Sequence, residues 1–168
     1  MRTKTAIVNF SGGESGECIP FAVANLTGDR RAIDDTPKRP EGYLIADLSA
    51  LVAKYLGEAI GRRLAVEPLI VAREAIDAAT FVESIADLGA PAPSGAALPL
   101  FLKIKETRSG LLHCVLCFWR GADDVIEIHD NKKNFVEEAT TAATFDRLDV
   151  RGVFVVVDKK NYHLIFKE

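Results

Sequence analysis

The sequence of 168 residues has no excess of positive charge: 21 Lys and Arg stand against 24 Asp and Glu, for a formal net charge of −3. Nucleic-acid binding draws much of its affinity from neutralising phosphates, so no nucleic-acid partner is expected. Cysteine is scarce as well, with only Cys18, Cys114 and Cys117. A small, odd number in a chain long enough to build its own core does not describe a disulfide framework, and a reducing compartment suits it. Uninterrupted apolar runs are also missing. Hydrophobic residues make up 48% and charged residues 27%, interspersed throughout, which excludes both a disordered chain and a membrane-spanning one. The apolar stretch after Met1-Arg-Thr-Lys-Thr is too short for a signal peptide. Cytoplasmic residence is the expectation, with leaderless export as an effector the alternative route. Neither an internal repeat nor a low-complexity segment is present, and the length predicts a single domain over residues 1–168.

What is there divides by hydrophobic period. Thr5 to Phe10 reads as a strand, followed by the loop Ser11-Gly-Gly-Glu-Ser-Gly-Glu17. Pro20 then marks the first turn of a helix, which puts Cys18 within a residue or two of that helix's N-terminus, and Thr27-Gly28 closes it. Residues 29–42 form a polar loop. From Tyr43, apolar residues recur at helical spacing through Leu48, Val52, Tyr55 and Leu56 to about Arg62-Arg63. Leu69 to Ala72 is too short to assign. Thr80-x-x-Glu83 reads as a capping box for a helix stopping at Gly89, and Pro91 to Ala97 as a flexible connection.

Beyond residue 97 the period becomes extended. Leu98–Lys105, Leu111–Arg120, Val125–Asp130, Val150–Asp158 and Tyr162–Lys167 are strand candidates joined by hairpin-length turns, with one helix capped by Asn134-x-x-Glu137 between them. The expected class is α+β, with helices to about residue 97 packed on an antiparallel sheet over residues 98–168.

Cys18 is placed where a helix dipole and free backbone N–H groups favour thiolate over thiol, and its glycine-rich approach lets a substrate come close. A buried packing cysteine is the plainer alternative. Among three histidines, His113 opens a strand with two apolar faces, Val115-Cys117-Trp119 and Cys114-Leu116-Phe118, and so sits at the edge of the core. If Arg120 opposes Val125 in the following hairpin, His113 opposes Lys132, and Asp130 shares its face at a bridgeable diagonal. A bulge would substitute Asn131 or His129.

Ser15-Gly-Glu-Cys18-Ile-Pro-Phe-Ala-Val-Ala24, Leu111-Leu-His113-Cys-Val-Leu-Cys-Phe-Trp119 and Val125-Ile-Glu-Ile-His-Asp130 together resemble the papain-like cysteine peptidases, most of all the bacterial leader-peptidase-like branch. The resemblance covers about Asn9 to Asp130. It implies a papain-like fold with Cys18 as nucleophile, His113 as general base and acid, and Asp130 orienting the imidazole. It also implies a peptide or protein substrate and no cofactor. That family usually has a glutamine five or six residues before the cysteine to donate to the oxyanion; here those positions are Gly13 and Gly12. The backbone N–H of Cys18 and a side chain from Asn9, Ser11 or Ser15 are the candidate donors.

Three other readings compete. A catalytically silent binding domain on the same fold follows from the missing glutamine. Ser11-Gly-Gly-Glu-Ser-Gly16 also resembles the phosphate loop of ATP pyrophosphatases, a fold that requires a parallel sheet. Cys114-x-x-Cys117 has a zinc-ligand spacing, but in a strand the two thiols point to opposite faces, so burial is expected for both. Trp119 is expected in the core and His163 at the surface.

Overall fold

A computed structural model describes residues 2–4, 9–13, 16–88, 96–106, 110 and 112–167. Its strands form one sheet in the order β1-β6-β5-β4-β3-β7-β2: β1 (Arg2–Lys4), β2 (Leu64–Val71), β3 (Leu98–Lys105), β4 (Leu112–Arg120), β5 (Val125–His129), β6 (Val136–Ala139) and β7 (Val150–Asp158). A short β8 (His163–Leu164) continues the β3 side of β7. Every ladder among the described residues is antiparallel. The helices are α1 (Cys18–Thr27), α2 (Arg31–Asp34), α3 (Ile45–Val52), α4 (Glu58–Ile60), α5 (Ala78–Asp87) and α6 (Thr141–Arg147).

The fold is α+β, but it is not helices followed by a sheet. Two strands, β1 and β2, come from the first half of the chain, and α6 interrupts the second. The physical reason lies in β3, β4 and β7, which are apolar on both faces and therefore need cover on both. On one face, Phe101, Cys114, Leu116, Phe118, Phe154 and Val156 pack against Val23, Leu26, Leu48 and Val52 of α1 and α3. On the other, Leu100, Leu102, Val115, Cys117 and Val153 pack against Phe81 and Ile85 of α5 and Phe145 of α6. Cys114 and Cys117 thus lie on opposite faces of the sheet, both buried and unbridged.

Local boundaries depart from the sequence expectations at several places. The amphipathic helix from Tyr43 begins at Ile45, passes through a π-helical turn over Ala53–Gly57, and ends at Ile60, before Gly61. Leu69 and its neighbours belong to β2, whose Glu67-Pro68 breaks the apolar run; proline is tolerated because β2 is an edge strand with a register break between Pro68 and Ile70. The helix assigned to Thr80 starts three residues earlier, capped by Asp77, whose Oδ1 accepts the Thr80 N–H at 2.7 Å. Its expected stop, Gly89, lies outside the described residues. Asn134-x-x-Glu137 caps nothing: Val136–Ala139 is the strand β6, bonded to β5 and β1, and α6 opens instead at Thr140, whose Oγ1 accepts the Ala143 N–H.

At the N-terminus the strand found is Arg2–Lys4, whereas Asn9 and Phe10 are irregular and residues 5–8 lie outside the description. The polar loop over residues 29–42 contains the single turn of α2. His163 is exposed, as expected, and Trp119 packs against the second core with its Nε1–H donated to Thr141 Oγ1. Among the described residues, no helix is long and apolar enough to cross a membrane.

Phe81 joins the second layer to the sheet. It is fully buried, edge-on to Trp119 at 5.4 Å and stacked on Phe145 at 4.9 Å. Phe81→Ala is expected to cost about 3–5 kcal/mol of unfolding free energy, measured as a lower denaturant midpoint, while the opposite face and the Cys18 thiol's reactivity persist at low denaturant.

Candidate active site

Cys18 is the first residue of α1, where a helix leaves its N–H groups without intrahelical acceptors. Two glycines shape the approach. Gly16 has φ +90°, and a Cβ there would lie 2.6 Å from the Arg39 carbonyl oxygen, so two backbones meet where no side chain fits. Gly13 has φ +86°, and a Cβ would collide with the Phe21 ring at 2.6 Å. At these two positions before Cys18 there is no room for a side chain.

β4 brings His113 to Cys18 at the end of the sheet. The β4–β5 ladder pairs Arg120 with Val125 and runs without a bulge to Leu116 opposite His129. This is the register expected from the hairpin, and Asp130, one residue past β5, reaches His113 along the diagonal. The His113 Nε2–H donates to Asp130 Oδ1 at 2.8 Å. With Nε2 engaged, Nδ1 is the ring nitrogen left for the Cys18 thiol, whose ionisation His113 favours by hydrogen bonding and charge. Neither fallback residue takes that role: His129 Nε2 is paired with Glu127, and Asn131 is turned toward Gly12.

The electrostatics follow from this chain of contacts. Burial alone would lower the His113 pKa, yet the hydrogen bonds and charges of Asp130 and Cys18 raise it to about 9. For Cys18, burial opposes ionisation but is outweighed by the His113 hydrogen bond, the Cys114 N–H, the imidazolium charge and the Ile19 N–H, which together lower its pKa. Asp130 is lowered despite burial by His113, by the Lys132 N–H that its Oδ1 accepts at 3.0 Å, and by Lys133. Burial pushes Cys114 and Cys117 upward.

Asn9 does not fit the expected role of oxyanion donor. Both hydrogens of its buried amide are committed, Nδ2 donating to the Asp130 carbonyl at 2.9 Å and to the Lys133 carbonyl at 2.6 Å. It fastens the turn that carries Asp130. Asn131 fastens the same turn from the other side: its Nδ2 donates to the Gly12 carbonyl at 3.0 Å, and its backbone carbonyl accepts the Gly12 N–H at 2.7 Å. Between these, Asn25 of α1 grips Phe10, accepting its N–H at 2.8 Å and donating to its carbonyl at 3.2 Å. Residues 9–12 are thus a strap bound on one side to the helix that begins at Cys18 and on the other to the turn at Asp130. Ser11 on this strap is exposed and does not line the cleft; Ser15 lies outside the described residues.

A cleft of about 750 Å³ opens over Cys18 and His113. One wall is the loop from Pro40 to Leu44, the other the β3–β4 hairpin with Lys103 and Leu112, and Asn131 and Lys132 close one end. Leu44 and Leu112 are strongly exposed at the rim, and Lys132 pairs with Glu106. The Pro40–Leu44 wall has no counterpart in the sequence expectations, and Asn9 and Asn131 were expected only as an oxyanion donor and as a bulge alternative to Asp130, not as fasteners of the Asp130 turn. Gly42, which meets Gly16, was the available signal for the wall, whereas nothing in the pattern around the two asparagines points to a fastening role.

Protein-family models and curated proteins were both compared with the chain, and none matches.

Because the Asp130 carboxylate favours the imidazolium, anything that loosens it must lower the His113 pKa. In an NMR titration of the imidazole, the unmodified protein is expected to titrate near 9. Asp130→Asn should show the largest downward displacement, with Asn9→Ala between the two. An Asn9→Ala titration identical to that of the unmodified protein would mean that the turn holds itself.

Proposed function

We propose that the chain is a papain-like cysteine hydrolase, closest in kind to the bacterial leader-peptidase-like branch, that cleaves or deamidates an amide bond in a peptide or protein. The observation that carries this reading is His113 bridging Cys18 and Asp130 beside an open cleft. The sum of contacts favours a thiolate–imidazolium pair between the lowered pKa of Cys18 and about 9 for His113.

In the reaction, the Cys18 thiolate attacks the carbonyl carbon and a C–S bond forms as the oxygen takes up negative charge. The Cys18 N–H at the start of α1 is one donor to that oxygen. As the C–N bond breaks, the imidazolium passes its proton to the leaving nitrogen, which departs as an amine or as ammonia. His113 then takes a proton from water, the hydroxide adds to the thioester, and the acid is released with the thiolate restored. Asp130 keeps Nε2–H occupied throughout, so that Nδ1 stays directed at sulfur and substrate.

That Asn9 spends its donors on carbonyls and Ser11 does not line the cleft favours the second reading, a silent binding domain on the same fold. The antiparallel sheet counts against the phosphate-loop reading, which needs parallel strands.

Two measurements test the proposal. Limited iodoacetamide at mildly acidic pH should modify Cys18 first, with Cys114 and Cys117 protected by burial and raised pKa, and His113→Ala should abolish the preference. Equal slow labelling of all three thiols favours the binding domain. With a cleavable amide, kcat/KM should follow a bell whose alkaline limb falls near 9 as His113 deprotonates. Asp130→Asn should shift that limb to lower pH and reduce kcat on the order of 10²- to 10⁴-fold.

A further inference from the structure

Lys103 is a cation in the cleft that no carboxylate among the described residues pairs with. It lies on β3 among residues that are otherwise buried and apolar, Leu98, Leu100, Phe101, Leu102 and Ile104. Its cross-strand partners are Cys114 on one side and Gly152 on the other, and the next residue, Ile104, pairs with His113. The side chain is half-buried and lines the same cleft as Cys18. The other lysine there, Lys132, is neutralised by Glu106, whereas among the described residues no carboxylate pairs with Lys103. Gly152 leaves the space beside its stem open, since a Cβ there would lie 3.3 Å from the Lys103 Cβ.

A half-buried ammonium gives up hydration that only hydrogen-bonding or anionic groups restore, and apolar neighbours restore none of it. An anionic ligand in the cleft would supply charge-assisted hydrogen bonds from within reach of the nucleophile. Resting on the hydrolase reading for the site's chemistry, we propose that Lys103 selects substrates that carry a carboxylate beside the amide to be attacked. The carboxylate is either an acidic side chain or a chain terminus. Leu44 and Leu112 at the rim provide apolar contact for the neighbouring residues of such a peptide.

The test uses Cys18 itself as the reporter, so that it does not depend on turnover. Second-order alkylation rates are measured for anionic iodoacetate and neutral iodoacetamide at low ionic strength, in the unmodified protein and in Lys103→Met. The His113 charge is common to both proteins and cancels. The iodoacetate-to-iodoacetamide ratio, which normalises for any change in thiol ionisation, should fall roughly threefold to tenfold in Lys103→Met, and the difference should shrink as salt is added. Lys103→Arg should retain the ratio, which keeps the test decisive if the methionine variant folds poorly.

Protection experiments then separate the two carboxylate sources. An acetylated, amidated peptide with one internal Glu and a neutral peptide with a free C-terminus are each compared with a neutral amidated control. Whichever anionic peptide shields Cys18 at concentrations where the control does not identifies the source, and Lys103→Met should remove that advantage. A ratio unaffected by Lys103→Met, or shielding that the substitution leaves intact, overturns the proposal. Slow labelling of Cys18 by both reagents would overturn the hydrolase reading instead, and the ratio would still report on Lys103.

Discussion

The hydrogen bond that His113 Nε2 donates to Asp130 is made by residues at the ends of neighbouring strands, and the chemistry of the cleft depends on it. With Nε2 occupied by the carboxylate, only Nδ1 is left to meet the Cys18 sulfur. The same contact raises the basicity of the ring, which lets a proton rest on the imidazole while the sulfur carries negative charge. A carboxylate one residue past β5 is not held by the ladder, which ends at His129. Its place is secured instead by the Lys132 N–H on its side chain and by Asn9 on its backbone. Two amide side chains and a handful of loop carbonyls therefore determine how well a sheet and a helix cooperate.

Much of this was legible in the sequence because strands obey parity. The alternation of Cys114, Leu116 and Phe118 with Val115, Cys117 and Trp119 marks β4 as central, and the short hairpin after Arg120 sets its register with β5. From those two facts alone, Asp130 shares a face with His113, and the structure places them 2.8 Å apart. Pro20 likewise puts Cys18 at a helix start, because proline is accepted only in the first turn. In each case a local rule, steric or geometric, leaves little freedom for the tertiary structure to override.

Where local rules compete, the sequence is less informative. Val136 to Ala139 follows a pattern that suits a helix cap, but the edge of β5 offers ladder hydrogen bonds on one side and β1 offers them on the other, so it becomes a strand. Pro68 hides β2 for the opposite reason: it reads as a breaker, yet an edge strand with a register break accommodates it. Asn9 was a plausible oxyanion donor by position alone, and only the tertiary placement of two carbonyls 121 and 124 residues away reveals how its hydrogens are used. Lys103 is similar, an unremarkable strand residue until the cleft and its missing counter-ion are seen.

The strap of residues 9–12 also bears on the order in which the molecule can acquire its reactivity. Its bonds to the Asp130 turn close loops of more than a hundred residues, whereas the β4–β5 hairpin that presents His113 and Asp130 closes within a few. Closing long loops costs chain entropy that short hairpins do not incur, and such contacts are slow to form. The helix that begins at Cys18 can therefore exist, with an ordinary thiol at its first position, well before any imidazole arrives to ionise it. The thiol of a nascent or partly unfolded chain thus lacks the imidazole that lowers its pKa, and gains it only as long-range contacts close.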